Sequence, residues 1–227
     1  MRSIIKKFIP PIFIDLIKKY TTTETIQEKN VALWYANNAT ETLLFNCPYL
    51  NKESLVFDIG GYKGEWAKNI FCRYMPNIYI FEPVHTFSEH IKNSFIKNDK
   101  VHIFNFGLSD INTICDIQLS EDASSICTKK QNAILESIEI RKISDFILLN
   151  NIKKIDLMKI NVEGSEYNII KDLHNHDLLK NIHTLQIQFH DFVDSAPQKI
   201  NECQQILSQH HTKTWGYDLV WESWSQK

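Results

Sequence analysis

From residue 55 onward the chain alternates short apolar runs with stretches of helical period. Leu55-Val56-Phe57 leads into Asp58-Ile59-Gly60-Gly61-Tyr62-Lys63-Gly64, followed by a helix through Cys72. Ile78–Phe81 is a second run, closed by Glu82-Pro83 and followed by a helix from about Thr86 to Ile96; Val101–Phe106 is a third. Helices between runs, with no hairpin turns, predict βαβ units and a parallel sheet. The region at about 113–145 breaks the rhythm. Its alternating segments, Ile114–Ile117 and Ser137–Ile140, predict an antiparallel β insertion with Ala123-Ser124-Ser125 near its tip. The α/β rhythm returns at Ile155–Val162, with a helix from Ser165, a strand at Thr184–Phe189 and a helix over about Gln198–His210. Lys213–Tyr217 and Leu219–Trp224 close the chain as an antiparallel pair. Residues 24–50 read as helical, with Trp34 and Tyr35 central and Pro48 ending the element. The expected architecture is a seven-stranded, doubly wound α/β sheet, residues 51–227, behind an N-terminal helical cap, residues 1–50.

Composition narrows the function classes. Of 227 residues, 43% are hydrophobic and 23% charged, which excludes collagen-like, disordered and coiled-coil chains. A net charge of −2 gives no footprint for nucleic acid. The five cysteines form no C-x-x-C pair and read as reduced thiols of a cytoplasmic protein. Met1–Tyr20 is apolar with basic punctuation, but Lys6, Lys7, Pro10, Pro11 and Asp15 interrupt any membrane span. It fits a cap on the core, or contact with an anionic membrane surface at the inner face of the membrane.

In an open α/β sheet, ligands bind at the carboxyl ends of the strands, near the point where strand order reverses. The loop Gly60–Gly64 falls there, its glycines allowing close backbone approach. Its spacing, D-x-G-x-x-x-G, is neither the dinucleotide fingerprint nor a P-loop, since Tyr62 and Lys63 fill the deciding positions. The Asp58 carboxylate at the mouth of this loop would repel a pyrophosphate and attract a cationic amino-acid part, as in S-adenosylmethionine. Glu82, at the end of the second strand, can accept hydrogen bonds from ribose hydroxyls. Helix capping by Asp58 and a solvated Glu82 are the plainer alternatives.

Two strands carry polar rows. Lys159, Asn161 and Glu163 share one face of the strand at 155–163, and Gln186, Gln188 and His190 one face of the strand at 184–190. Buried, unpaired groups of this kind cost about 1–3 kcal/mol each. A connected network tying the cap to the sheet is expected for Lys159 and Gln186, and a substrate pocket for Asn161, Glu163 and His190.

Leu55–Gly64, Phe81-Glu82-Pro83, Gly107-Leu108-Ser109-Asp110 and Lys159-Ile160-Asn161-Val162-Glu163-Gly164-Ser165-Glu166 together resemble the FkbM-family methyltransferases, which depend on S-adenosylmethionine. The resemblance spans about residues 55–192. It implies a class I (Rossmann-like) methyltransferase fold and O-methylation, commonly of sugar hydroxyls in glycans such as bacterial surface polysaccharides. By resemblance, Asp58, Gly60, Gly61, Tyr62 and Gly64 would hold the methionine part, Glu82-Pro83 the ribose, and Ser109 and Asp110, ending the third strand, would lie near adenine. Glu163 and Glu166 match the family's acids. Asn161 and Gln188 stand where relatives often carry carboxylates: if those acids ligate a metal in relatives, this chain has lost charge there and no metal site is assigned, and if they position substrate, an amide can still bond a hydroxyl.

Transfer of a methyl group to oxygen needs alignment and a proton acceptor. His190 is the candidate base, with Asn161 and Glu163 beside it and Asp191 to orient its ring or replace it. His174, His176, His183, His210 and His211 read as solvated. Trp34, Tyr35 and Phe87 either line a sugar site or pack the core. Two alternatives stand: an NAD-dependent nucleotide-sugar dehydrogenase or epimerase, and a catalytically degenerate binding subunit. An oligomer fits any of the three.

Overall fold

The computed structural model describes residues 25–119, 124–125 and 134–227. The expected surface segment Met1–Tyr20, and Ala123 near the insertion tip, lie outside them. A capping box at Thr25 and Glu28 starts helix α1, Ile26–Ala36, and a π-helical turn follows at Thr40–Leu44. The main-sheet strands are β1 (Leu55–Ile59), β2 (Asn77–Phe81), β3 (Val101–Phe104), β8 (Ile155–Ile160), β9 (Ile182–Ile187), β10 (His211–Tyr217) and β11 (Trp221–Gln226). Their spatial order is β10-β11-β9-β8-β1-β2-β3. β3, β2, β1, β8 and β9 run parallel, while β11 is antiparallel to both β9 and β10. Helices α2 (Glu65–Tyr74), α3 (His85–Ser94), α5 (Glu166–Asn175) and α6 (Ala196–Leu207) make the crossovers. This is the expected class I, Rossmann-like arrangement, with the strand order reversing between β1 and β8.

Burial on both faces explains the near-continuous apolar strands. Val56, Ile78, Ile80 and Leu157 face one core, shared with Trp34, Ala39, Leu44 and Phe45 of the cap. Phe57, Ile59, Phe81, Met158 and Ile160 face the other, shared with Tyr167, Ile169 and Ile170 of α5. Trp34 is therefore core: its indole donates to Thr40 Oγ1 at 2.8 Å, and it packs edge-on to Tyr217 at 5.3 Å. Tyr35 points to solvent.

The insertion is a second sheet, ordered β4-β7-β5-β6, from β4 (Gly107–Ser109), β5 (Thr113–Leu119), β6 (Ser124–Ser125) and β7 (Ile134–Lys142). β5 and β7 pair antiparallel as expected, but β4 pairs parallel to β7. Helix α4, Ile143–Leu149, follows β7 directly and was not foreseen. It is held because Phe146 sets its ring edge-on to Phe81 at 5.0 Å. His211 corrects another expectation. It opens β10 buried rather than solvated, and one ring nitrogen, Nε2, bonds the Ile182 carbonyl at 2.8 Å.

Candidate functional site

A cavity of about 260 Å³ opens at the carboxyl ends of β1, β2 and β8. Its lining includes Gly60, Tyr62, Glu82, Pro83, Asn161 and Glu163 from the sequence-predicted set. The glycine loop folds as it does because backbones crowd there. Gly60 sits at φ +84°, and a Cβ on it would stand 1.9 Å from the Asn161 carbonyl oxygen, so no other residue fits. Gly61 and Gly64 serve the turn rather than the cavity wall. A Cβ on Gly61 would meet Ile80 at 2.4 Å, and Gly64, at φ +80°, caps α2.

Glu82 organises this corner. Its Oε2 accepts the Tyr62 amide at 2.7 Å and its Oε1 the Val84 amide at 2.9 Å. Burial pushes its carboxyl up to about 7, although the Val84 and Tyr62 amides and the Lys159 charge pull the other way. Each oxygen keeps a lone pair for a ligand hydroxyl.

Asp58 departs from expectation. It is fully buried and does not line the cavity. Its Oδ1 lies 2.9 Å from Lys159 Nζ, which donates to the Gly60 carbonyl at 2.6 Å. Neither carboxylate oxygen accepts a well-aligned hydrogen bond, and burial raises its pKa although Lys159 opposes this. The attraction of a free carboxylate for a cationic ligand therefore does not apply: the cation beside Asp58 belongs to the chain. Gln186, next to Lys159 in the β8–β9 register, donates to the Leu44 carbonyl at 2.9 Å, as expected for a tie between sheet and cap.

Ser109 and Asp110 also lie off the cavity. Ser109 ends β4 of the second sheet, not the third strand of the first, and Asp110 follows it, its Oδ1 taken by Ser109 Oγ and by Asn168 Nδ2 of α5, each at 3.1 Å. In their place the wall is Gly107 and Leu108 with Ile117, Ile138 and Ile140 of the insertion. These apolar positions carried no chemical signal in the sequence. Their signal was the two-residue period, which puts Cys115, Ile117, Ile138 and Ile140 on one face and Ile114 and Glu139 on the other; the fold turns the first face inward.

At the opposite lip, Asn161, Glu163 and Ser165 line the cavity, and Asn161 Oδ1 is buried without a partner. Glu163, at φ +52°, and Gly164, at φ +106°, make a tight turn that presents the Glu163 carboxylate. His190 stands behind it, Nε2 at 3.6 Å from Glu163 Oε1, and does not line the cavity. Its ring is oriented by Glu166, with Nδ1 at 3.2 Å from Oε1; Asp191, expected in that role, points to solvent. Burial lowers the His190 pKa, but the Glu166 hydrogen bond and the charges of Glu166, Glu163 and Asp191 outweigh it and hold it above the ordinary value. Phe87 packs on Tyr62 at 4.7 Å rather than facing the cavity. Among the described residues, no group of three or more His, Cys, Asp or Glu is placed to hold a metal ion.

The cavity's residues fit a nucleoside. Glu82 offers acceptors for ribose hydroxyls, Pro83, Leu108, Ile117, Ile138 and Ile140 offer an apolar slot for a base, and side-chain-free Gly60 admits the backbone-close part.

The sequence matches the family described as Methyltransferase FkbM domain over residues 58–218. A Streptococcus mutans protein described as a candidate methyltransferase, solved with S-adenosylhomocysteine, shares the fold at a TM-score of 0.51. Its sequence identity is 10%, with 84% of this chain and 97% of that chain covered. An rRNA methylase from Streptococcus thermophilus aligns at a TM-score of 0.49 and 10% identity, over 82% of this chain and 93% of that chain. No curated protein sequence matches significantly.

Proposed function

The chain belongs to the FkbM methyltransferase family, and from that membership we propose that it methylates a sugar hydroxyl, in a nucleotide sugar or a glycan, using S-adenosylmethionine. The observation that carries the reading is one cavity with a nucleoside-fitting wall on one side and a polar lip, Asn161, Glu163 and Ser165, on the other. The dehydrogenase alternative falls with the family match.

S-adenosylmethionine supplies a methyl on a cationic sulfur: the C–S bond breaks as the O–C bond forms, S-adenosylhomocysteine leaves, and the hydroxyl proton passes to the protein. Glu82 holds the ribose, and the insertion wall excludes water from the base. Asn161 Oδ1, buried and unpartnered, accepts from a hydroxyl of the acceptor, which favours a polyol over an apolar acceptor. Glu163 receives the proton, being the titratable lip residue at the cavity surface, and His190 stands behind it to take the charge. The apolar, basic sequence of residues 1–20 suits an anionic membrane face where surface glycans are assembled.

Calorimetric titration with S-adenosylhomocysteine, with NAD in parallel, tests the cofactor. Methyl transfer to a panel of nucleotide sugars and methyl glycosides tests the acceptor class. Glu163→Gln should lower turnover by about 10²–10⁴-fold and leave S-adenosylhomocysteine binding intact. Binding of NAD alone would sink the reading, and cofactor binding without transfer to any hydroxyl would leave a binding subunit.

A further inference from the structure

Glu166 opens α5 and is fully buried, yet both of its oxygens are used. Oε2 accepts the Gly164 amide at 2.9 Å, inside the tight turn that presents Glu163. Oε1 accepts the His190 amide at 2.8 Å and lies 3.2 Å from His190 Nδ1. One carboxylate thus joins the loop after β8 to the loop after β9, the two loops that carry the lip.

We propose that Glu166 is the positioning residue of the acceptor side, fixing His190 as the Nδ1–H tautomer with its Nε2 turned to Glu163. This deepens the methyltransferase reading and rests on it. An ionised carboxylate only accepts, so the Nδ1···Oε1 contact requires the proton on Nδ1. The neutral ring then carries its lone pair on Nε2, 3.6 Å from Glu163 Oε1. After methyl transfer the proton on Glu163 moves to Nε2, which restores the Glu163 carboxylate and leaves an imidazolium between two carboxylates. Other groups around the ring are Asp191, next in the chain, the Phe192 ring at 5.2 Å, and the Tyr167 hydroxyl, which donates to the His190 carbonyl at 2.5 Å with Lys199 over its ring. They hold the His190 backbone or add charge, but none reaches a ring nitrogen as Glu166 and Glu163 do.

The test is side-chain nitrogen NMR on the full-length ¹⁵N-labelled chain, with His190 assigned through His190→Gln. A histidine free in water favours the Nε2–H form, so the two outcomes differ in kind. Above its titration, His190 is expected as Nδ1–H. Glu166→Gln is expected to shift its titration midpoint downward while S-adenosylhomocysteine affinity stays within about twofold. A Glu166 that serves only stability would move the midpoint by its charge but leave methyl transfer by the folded Glu166→Gln variant unchanged, whereas a positioning role lowers turnover with the cofactor affinity kept. An Nε2–H tautomer in the unmodified chain overturns the proposal, as does an unmoved midpoint in Glu166→Gln. The unmodified chain decides the matter even where the variant does not fold. Failure of the unmodified chain to bind S-adenosylhomocysteine would strike the methyltransferase reading instead, and is read separately.

Discussion

Through its proposed ribose contact, Glu82 makes cofactor binding depend on pH. Its carboxyl, with an ordinary value of 4.5, is pushed up to about 7 by burial, so near neutrality it is a mixture of acid and carboxylate. If Glu82 accepts the ribose hydroxyl as proposed, affinity for S-adenosylhomocysteine should rise between about pH 6 and about pH 8 and then level. For stability the sign is opposite. The folded state holds this proton more tightly than the unfolded one, so stability is highest below 4.5, falls by up to about 1.4 kcal/mol per unit between 4.5 and about 7, and levels once pH has risen through 7. Glu82→Gln should flatten both curves, measured by calorimetry and by urea denaturation; a wild-type affinity independent of pH would exclude Glu82 as the ribose acceptor. Gly60, Glu82, Asn161 and Glu163 were legible in the sequence because spacing alone puts them at strand ends. The partners of Asp58 and His190 were not. Lys159 meets Asp58 only through the pairing of β1 with β8, and Glu166 reaches His190 between two loops. Neither juxtaposition leaves a local trace, whereas the adjacency of Asp191 to His190 was visible but points the wrong way.

The insertion belongs to the site as an element. Ile117 and Ile138 pack with Val84 while Ile140 completes the wall, so this small sheet is anchored to the loop after β2 and closes the cavity from above the main sheet. Ile140 is only partly buried, so Ile140→Ala should spare the fold. Losing its apolar contact with a base is expected to weaken S-adenosylhomocysteine binding by about tenfold, following about 1.5 kcal/mol of lost burial. Thermal unfolding should remain cooperative. Unchanged affinity would move the base elsewhere in the cavity. The main strands and crossovers were readable because apolar runs bounded by glycine, proline or acid recur at βαβ spacing. Helix α4 was missed since its seven residues follow β7 with no turn signal, and the aromatic packing of Phe146 that sustains it is tertiary. Alternation in 113–145 gave two faces without saying which would be turned inward.

Across the whole molecule, a single polar level joins cap, sheet and cavity. Asp58, Lys159 and Gln186 lie side by side on β1, β8 and β9, with Lys159 reaching the Gly60 carbonyl and Gln186 the Leu44 carbonyl. Removing one charge leaves the other buried alone, so Asp58→Asn is expected to cost about 3–5 kcal/mol in denaturant titration. Lys159→Met strands a carboxylate that burial already pushes toward its neutral form, and should cost less. The double variant removes both charges and should recover most of the loss from Asp58→Asn, a coupling that a double-mutant cycle reads directly. The same cycle, read by cofactor binding, separates two roles for Asp58. If it acts through Lys159 and the Gly60 carbonyl, the double variant binds S-adenosylhomocysteine better than Asp58→Asn alone. If Asp58 itself contacts the ligand after a local rearrangement, the double variant regains stability but not binding, and the carboxylate role expected from the sequence returns.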